Sequence, residues 1–416
     1  MSELQWRSVG GLLLLCLFAW VCGGCRRGVR PRVVIAGLLG QLGIAAALLH
    51  LPPARAVVSA IGEGVDALAR ATKAGTSLVF GYLGGGPAPF AEVQPGNGFI
   101  LFFQALPLVL VVGALSALLY HWRILPLVVR GLAAALGRLF GLSGACNVSV
   151  AATAFVGMVE APLLIKPWLP TLTRSELFVC MVAGLSTISG NMLVVYATMI
   201  APVVPDAAGR LLTASLVAAP AGILAALLML PETTKASDAQ GAEGPPPRLY
   251  DSSIDALLRG TSEGLQLLLG IMAALIVFVA LVELANIVLE PLTGQTLQGL
   301  LGWVFWPLAW AMGVPAAECA TVGRSLGIKV AINEFVSYLD LASGGGAGLS
   351  PRSRLILTFA LCGFTNFASL GIMVTGLSGM VPTRRAEIIG LGLRSLLAAS
   401  IACCMSGATI GILTPP

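Results

Sequence analysis

Residues 143–202 read SGACNVSVAATAFVGMVEAPLLIKPWLPTLTRSELFVCMVAGLSTISGNMLVVYATMIAP. The stretch is apolar enough to enter a lipid bilayer, yet it contains a carboxylate, Glu160, and repeated proline and Gly/Ser/Thr/Asn interruptions. A charged side chain at bilayer depth is costly, so Glu160 is a candidate for function. Broken backbone at that depth is stable only inside protein or beside a wet cavity. The stretch therefore predicts a re-entrant hairpin followed by an interrupted helix.

Residues 314–380 repeat this organisation. The short segment VPAAECATVGRSLGIKVAINEFVSYLDLASGGG carries Glu334, and the apolar segment LILTFALCGFTNFASLGIMVTGL follows with an interruption near Asn366. The interruption after Glu160 lies near Ile188, at a similar distance from its acid. Two interrupted segments in corresponding halves of a chain are typical of a transporter binding site. The sequence predicts an inverted repeat around a site at the membrane midplane.

The composition defines the broad class of protein. Of the 416 residues, 57% are hydrophobic and 10% are charged, whereas soluble domains carry roughly 25% charged residues. The net charge is +5, but the basic residues lie in short loops and form no patch interleaved with aromatic residues, which excludes a nucleic-acid partner. The two histidines and nine scattered cysteines offer no metal-binding cluster. These features predict an all-α polytopic membrane protein whose partner is the lipid bilayer.

The hydrophobic segments predict about eight transmembrane helices, two re-entrant hairpins and interfacial helices. The spans are expected at 9–25, 33–52, 99–120, 177–202, 211–230, 266–290, 353–380 and 387–412. The other expected elements are the hairpins 143–167 and 314–345, interfacial helices 56–75 and 253–265, a basic connector 121–138, and polar loops 84–98 and 232–252. The basic run directly after the first span favours a cytoplasmic loop there, and hence periplasmic termini.

Two other classes of membrane protein also carry intramembrane acids. An intramembrane enzyme would need an acid pair, a nucleophile with its base, or metal ligands, and two glutamates on separate hairpins supply only the first. A channel does not require two inverted hairpins that each carry a carboxylate. The sequence therefore predicts a carrier, and not an enzyme or a channel.

Six motifs resemble those of the concentrative nucleoside transporters, solute carrier family 28 and its bacterial relatives. They are FFQALPLVL (102–110), GMVEAPLLIKPWLPTLTRSEL (157–177), STISG (186–190), GIKVAINEFVSYL (327–339), ALCGFTNFASLGI (360–372) and RRAEIIGLGLRSL (384–396). The resemblance extends from Phe99 to the C-terminus. It implies ion-coupled nucleoside symport across a bacterial inner membrane, by an elevator-type mechanism in a homotrimer. It implies no organic cofactor, only a coupling cation.

The resemblance also implies a scaffold and a mobile transport domain. Residues 1–142 would hold the N-terminal spans, interfacial helices and scaffold, and 143–202 the first hairpin and broken helix of the transport domain. Residues 203–313 would return to scaffold spans, 314–380 would supply the second hairpin and broken helix, and 381–416 would form the last scaffold span.

In this family the second hairpin and broken helix bind the ribose. The matching residues here are Glu334, Asn366 and Ser369, with Phe364 beside them, and Met192 on the first broken helix belongs to the same expected solute site. The chemistry fits, because a carboxylate accepts from two vicinal hydroxyls and an amide donates and accepts at once.

The first hairpin departs from the family pattern. The usual Gly-Gln-Thr/Ser-Glu is here Gly157-Met158-Val159-Glu160. In the family the glutamine and the hydroxyl hydrogen-bond the nucleobase, and neither group is present here. We therefore expect Met158, Val159 and Glu160 to line the solute site with altered base specificity.

The coupling ion is left open between a proton and sodium. A sodium-coordinating asparagine of the family is replaced by Thr153, and the other sodium positions correspond to Val156, Thr187 and Ile188. Threonine keeps an oxygen but has a shorter reach. The apolar neighbours of Glu160 should ease its protonation. The sequence therefore favours proton coupling over a sodium ion at these four positions.

Overall fold

The computed structural model describes residues 2–26, 28–90, 98–233 and 249–415, and the regular structure within these ranges is helical. This confirms the predicted all-α class. The predicted loop 232–252 lies largely outside the described residues, and so does part of the predicted loop 84–98.

The first half of the chain places long helices around a short hairpin. Its helices before the hairpin are α1 (Glu3–Cys22), α2 (Pro31–His50), α3 (Pro52–Phe80), α4 (Leu101–Gln104), α5 (Leu108–His121) and α6 (Ile124–Phe140). The hairpin consists of α7 (Gly144–Thr153) and α8 (Glu160–Leu163), and it is followed by α9 (Arg174–Ser186), α10 (Gly190–Ile200) and α11 (Ala207–Met229). The helix α3 contains the predicted interfacial segment 56–75, and α6 contains most of the predicted connector.

The second half repeats this order. Its helices are α12 (Ser253–Thr293), α13 (Leu297–Ala311), the hairpin pair α14 (Cys319–Ala331) and α15 (Glu334–Asp340), then α16 (Pro351–Leu361), α17 (Phe367–Met380) and α18 (Arg385–Leu413). The helices α5 and α12 pack along each other, α9 packs on α11 and α18, and α16 packs on α18 and α11. The same order of span, connecting helix, hairpin, broken helix and span thus occurs twice, and helices of the two copies pack against each other.

The eight predicted spans do not all appear as unbroken helices. Within the described ranges, seven helical segments are long and apolar enough to cross a membrane. The eighth prediction, 353–380, corresponds to α16 and α17, which are separated by residues 362–366. The prediction of 177–202 as one span likewise corresponds to α9 and α10 with a break at 187–189. Both breaks fall where Gly, Ser, Thr and Asn interrupt the apolar sequence.

The separate interfacial helix at 253–265 is wrong, because α12 is one continuous helix of 41 residues. Its polar N-terminal turns continue the helix, and Arg259 forms an ion pair at 2.8 Å with Asp255 one turn earlier. Glycine allows α12 to pack closely against α5, because a Cβ at Gly260 would lie 2.7 Å from the carbonyl oxygen of Gly113 on α5. The helix α13 was not predicted at all, and Thr296 caps its N-terminus.

Burial separates inner spans from outer spans. In the most apolar window of each helix, 89% of the residues of α11 and 78% of those of the segment ending in α18 are buried, against 11% for α12. The helices α11 and α18 therefore pack in the centre with the broken helices. The family resemblance assigns both helices to the scaffold, and the division into fixed and moving parts stays a prediction.

Candidate functional site

Both broken helices restart on a polar side chain. Ser189 precedes α10, and its hydroxyl accepts from the backbone N–H of Met192 at 3.4 Å. Asn366 precedes α17, and its Oδ1 accepts from the N–H of Ser369 at 2.7 Å. Such N-caps satisfy N–H groups that have no partner within the helix. The Gly/Ser/Thr/Asn interruptions of the sequence are thus the residues that make each break stable.

The second hairpin meets both broken helices through Glu334. Asn333 caps α15 by accepting from the N–H of Val336 at 2.9 Å, which places Glu334 in the first turn. Glu334 is buried, and each of its carboxylate oxygens accepts one hydrogen bond. Tyr196 on α10 donates its hydroxyl to Oε1 at 2.7 Å, and Asn366 donates Nδ2 to Oε2 at 2.8 Å. The structure therefore brings Glu334 and Asn366 together as expected.

Tyr196 was not predicted as a site residue. Its ring is fully buried, 4.8 Å from the ring of Tyr338 and 6.0 Å from that of Phe335 between centroids. These contacts fix the hydroxyl toward Glu334. The one available signal was that Tyr196 is the only tyrosine in residues 143–202.

Three of the remaining expected solute-binding residues are close to this cluster along the chain. Phe364 and Ser369 flank Asn366 at the second break and are both buried, and Met192 is buried in the first turn of α10. Glu160, in contrast, is exposed at the start of α8 and takes no part in the hydrogen bonds of Glu334.

The tip of the first hairpin lies on the first break. The carbonyl of Phe155 accepts from the N–H of Gly190 at 2.8 Å, which joins the hairpin to the start of α10. Gly157 has a φ of +110°, and a Cβ there would lie 2.6 Å from Oε2 of Glu160 and 3.4 Å from Cβ of Ser189. A residue with a side chain would therefore be strained and crowded at position 157.

Met158 and Val159 of the first hairpin contact two different helices. The Cβ of Met158 lies 3.2 Å from the position a Cβ would take at Gly184 on α9. The Cγ1 of Val159 lies 3.0 Å from the corresponding position at Gly376 on α17. Val159 thus connects the hairpin of the first half to the broken helix of the second. Both hairpins and both broken helices meet in one region.

The two breaks also touch each other. A Cβ at Gly363, inside the second break, would lie 2.8 Å from the carbonyl oxygen of Ser186, the last residue of α9. The C-terminal ends of α9 and α16 therefore lie side by side. Helix C-termini carry partial negative charge, so this arrangement favours a cation close by.

The four expected ion positions offer neutral oxygen atoms. Thr153 and Thr187 are buried, and each donates its hydroxyl to a carbonyl of its own helix, at 2.7 and 2.9 Å. A hydroxyl keeps acceptor capacity after it donates. The carbonyl of Ile188 accepts from Ser215 at 3.4 Å, and Val156 lies at the hairpin tip. Such a set suits a monovalent cation, and within the described ranges no group of three or more His, Cys, Asp or Glu could hold a metal ion.

Two inverted repeats, each with a re-entrant hairpin and a broken helix around a buried polar cluster, define a membrane carrier. Three family models match: the Na+ dependent nucleoside transporter N-terminus at residues 10–83, "Nucleoside recognition" at 102–203, and the Na+ dependent nucleoside transporter C-terminus at 210–411. The chain is 37% identical to the uncharacterized transporter YutK of Bacillus subtilis, over 98% of each chain. It is 32% identical to the nucleoside permease NupC of Helicobacter pylori, over 97% of each.

A solved structure agrees with these matches. CNTnw in an inward-facing substrate-bound state superposes with a TM-score of 0.91, at 32% identity over 100% of both chains. The chain belongs to the Na+ dependent, or concentrative, nucleoside transporter family. Because the family and its structural neighbours are transporters, the prediction that the chain is not an enzyme is confirmed.

Proposed function

We propose that this protein takes up nucleosides across the inner membrane by ion-coupled secondary active transport. The observation that carries the proposal is the cluster of Glu334, Tyr196 and Asn366, which joins the second hairpin to both broken helices. The family membership supports the same solute class. A homotrimer with an elevator-type movement and periplasmic termini completes the proposal, with the hairpins and broken helices in the mobile part.

The cluster suits a ribose because its carboxylate is buried and already accepts two hydrogen bonds. Two vicinal hydroxyls can replace the donors Tyr196 and Asn366 at Glu334 without leaving the charge unsatisfied. The amide of Asn366 is held in one orientation, since its Oδ1 caps α17. A solute without those hydroxyls could not replace the two donors at Glu334, so it would bind more weakly.

Base recognition is proposed to be apolar and tolerant. The first hairpin presents Met158 and Val159 where the family has a glutamine and a hydroxyl residue. An apolar surface discriminates weakly between rings, whereas a site built on hydrogen bonds rejects analogues that lack them. The alternative is that neighbouring residues or water restore the lost base contacts, or that the solute is another riboside.

Coupling is proposed to use a proton in preference to sodium, because Thr153 reaches less far than an asparagine. The neutral oxygen atoms at Thr153, Val156, Thr187 and Ile188 favour the alternative, a sodium ion. Under either alternative, proton or sodium, one cation is proposed to bind beside the tip of the first hairpin.

Uptake into proteoliposomes tests the proposal. Radiolabelled nucleoside is added under an imposed sodium or proton gradient, with uridine, cytidine, adenosine, inosine and their 2′- and 3′-deoxy forms as competitors. We expect saturable, gradient-driven uptake with strong loss of competition by the deoxy forms and weak dependence on the base. Steep preference for one base with little effect of a missing hydroxyl would contradict it. Sodium-driven uptake that ignores a proton gradient at fixed pH would assign sodium.

A further inference from the structure

One buried charge takes no part in the proposed solute contacts. Lys329, on α14 of the second hairpin, is 2% exposed, and its Nζ donates to the carbonyl of Ala360 at 2.8 Å. Ala360 lies in the last turn of α16, where carbonyl groups have no partner within the helix. Among the ion pairs of the described residues, none includes Lys329. A full positive charge is thus held by the end of a half-helix.

Burying this ammonium is costly, so its surroundings must stabilise it. The C-terminus of α16 carries partial negative charge, and the C-terminus of α9 lies beside it through Gly363 and Ser186. Glu334 lies five residues further along the same hairpin and accepts from Asn366, the residue that begins the helix after this break. A role in packing alone would not need a charge, because an apolar side chain fills the same space at lower cost.

The internal repeat allows the donor at this carbonyl to be compared with the donor at the equivalent carbonyl of the first half. Ala360 lies six residues before the N-cap Asn366, and Ala183 lies six residues before the N-cap Ser189. In the first half the carbonyl of Ala183 accepts from the hydroxyl of Thr187, which is one of the expected ion positions. In the second half the equivalent carbonyl accepts from an ammonium group. The helices α7 and α8 of the first hairpin contain no lysine or arginine, and Lys166 just beyond them is exposed.

We propose that Lys329 is a tethered cation that replaces, in the second half, the exchangeable coupling cation of the first half. This inference rests on the proposed function. Lys329 is then a positioning residue: it neutralises the partial negative charge at the end of α16 and fastens the second hairpin to the second break.

The test separates the charge of Lys329 from its hydrogen bond. Lys329→Gln keeps a donor for the carbonyl of Ala360 but has no charge, and Lys329→Ala leaves space for a small amine. Lys73→Gln, at an exposed lysine of α3, is the matched control. Nucleoside binding at equilibrium and the melting temperature are measured for each purified variant, with and without millimolar ethylammonium, and with tetramethylammonium as a bulkier comparison. The probe is whichever of uridine, cytidine, adenosine and inosine the wild type binds most tightly.

We expect Lys329→Gln to lose about 10–100-fold in affinity, as for loss of a buried charged hydrogen-bond partner. Ethylammonium should restore binding and melting temperature to Lys329→Ala, with no effect on the wild type or on Lys329→Gln. Wild-type affinity in Lys329→Gln overturns the inference, and so does a folded Lys329→Ala that ethylammonium does not restore. If Lys329→Ala does not fold, Lys329→Gln decides alone.

Failure of the proposed function gives a different result. A wild type that binds none of the four nucleosides contradicts nucleoside transport. If ethylammonium then restores the melting temperature of Lys329→Ala, the tethered cation is still supported. If ethylammonium does not restore it, the tethered cation is overturned.

Discussion

Glu334→Gln is the substitution with the most direct consequence for solute binding. Both carboxylate oxygens of Glu334 accept, from Tyr196 at 2.7 Å and from Asn366 at 2.8 Å, whereas glutamine has one oxygen. One of the two donors would then face the amide NH2. Asn366 cannot turn over, because its Oδ1 caps α17 through Ser369 at 2.7 Å, so the hydroxyl of Tyr196 must rotate and accept instead. The protein keeps its hydrogen bonds but loses the charge.

A hydrogen bond to a buried charged group contributes roughly 1.5–3 kcal/mol, so nucleoside affinity should fall about 10–100-fold. Equilibrium binding to the purified protein measures the effect, with the melting temperature as a check on folding. Glu290→Gln, at an exposed position near the end of α12, is the matched control and should bind as the wild type does. Unchanged affinity in Glu334→Gln would refute the role of the carboxylate. A lower melting temperature with unchanged affinity would indicate a structural role only.

Three further changes test neighbouring parts of the site. Tyr196→Phe keeps the buried ring but removes a donor that a ribose hydroxyl is proposed to replace at Glu334, so nucleoside affinity should rise about 10-fold, and an unchanged dissociation constant would contradict this exchange. Gly157→Ala places a side chain at φ +110°, which costs roughly 1–3 kcal/mol, and its melting temperature should fall relative to Gly43→Ala, a glycine with open space around it. Thr153→Asn restores the amide of sodium-coupled family members, so the ratio of uptake with and without sodium should rise, and a constant ratio would argue against this ion site.

Glu334 and Asn366 of the proposed site could be predicted from the sequence because polar groups are chemically unusual in a membrane. A carboxylate at Glu334 and an amide at Asn366 stand out against an apolar background, and each is where the structure needs a polar group. Glu160 stands out in the same way, but it takes no part in the hydrogen bonds of Glu334, and its role in the solute site stays a prediction. Its carboxylate lies beside Gly157 at the tip of the first hairpin, a position that depends on how the hairpin is folded.

Other features could not be found from the sequence, because they depend on tertiary packing. Tyr196 becomes a site residue only when the second hairpin places Glu334 beside it. The expected division of α12 after residue 265 does not exist, and Gly260 in its first part lies where α5 packs closely against it. The unpredicted α13 packs mainly against α14 of the second hairpin, a neighbour that the sequence alone does not identify.

The hydrogen bonds of Glu334 join segments that are far apart along the chain, at positions 196, 334 and 366. A solute that replaces those bonds would act as a non-covalent cross-link between the second hairpin and both broken helices. Ligands that bind only the native state raise its stability by mass action, by about 2.7 kcal/mol at a concentration 100 times the dissociation constant. The resistance of the purified protein to heat therefore becomes a readout of solute identity that requires no membrane, no gradient and no knowledge of the coupling ion. Ribosides ranked in this way would show which hydroxyls the site demands before any transport is measured.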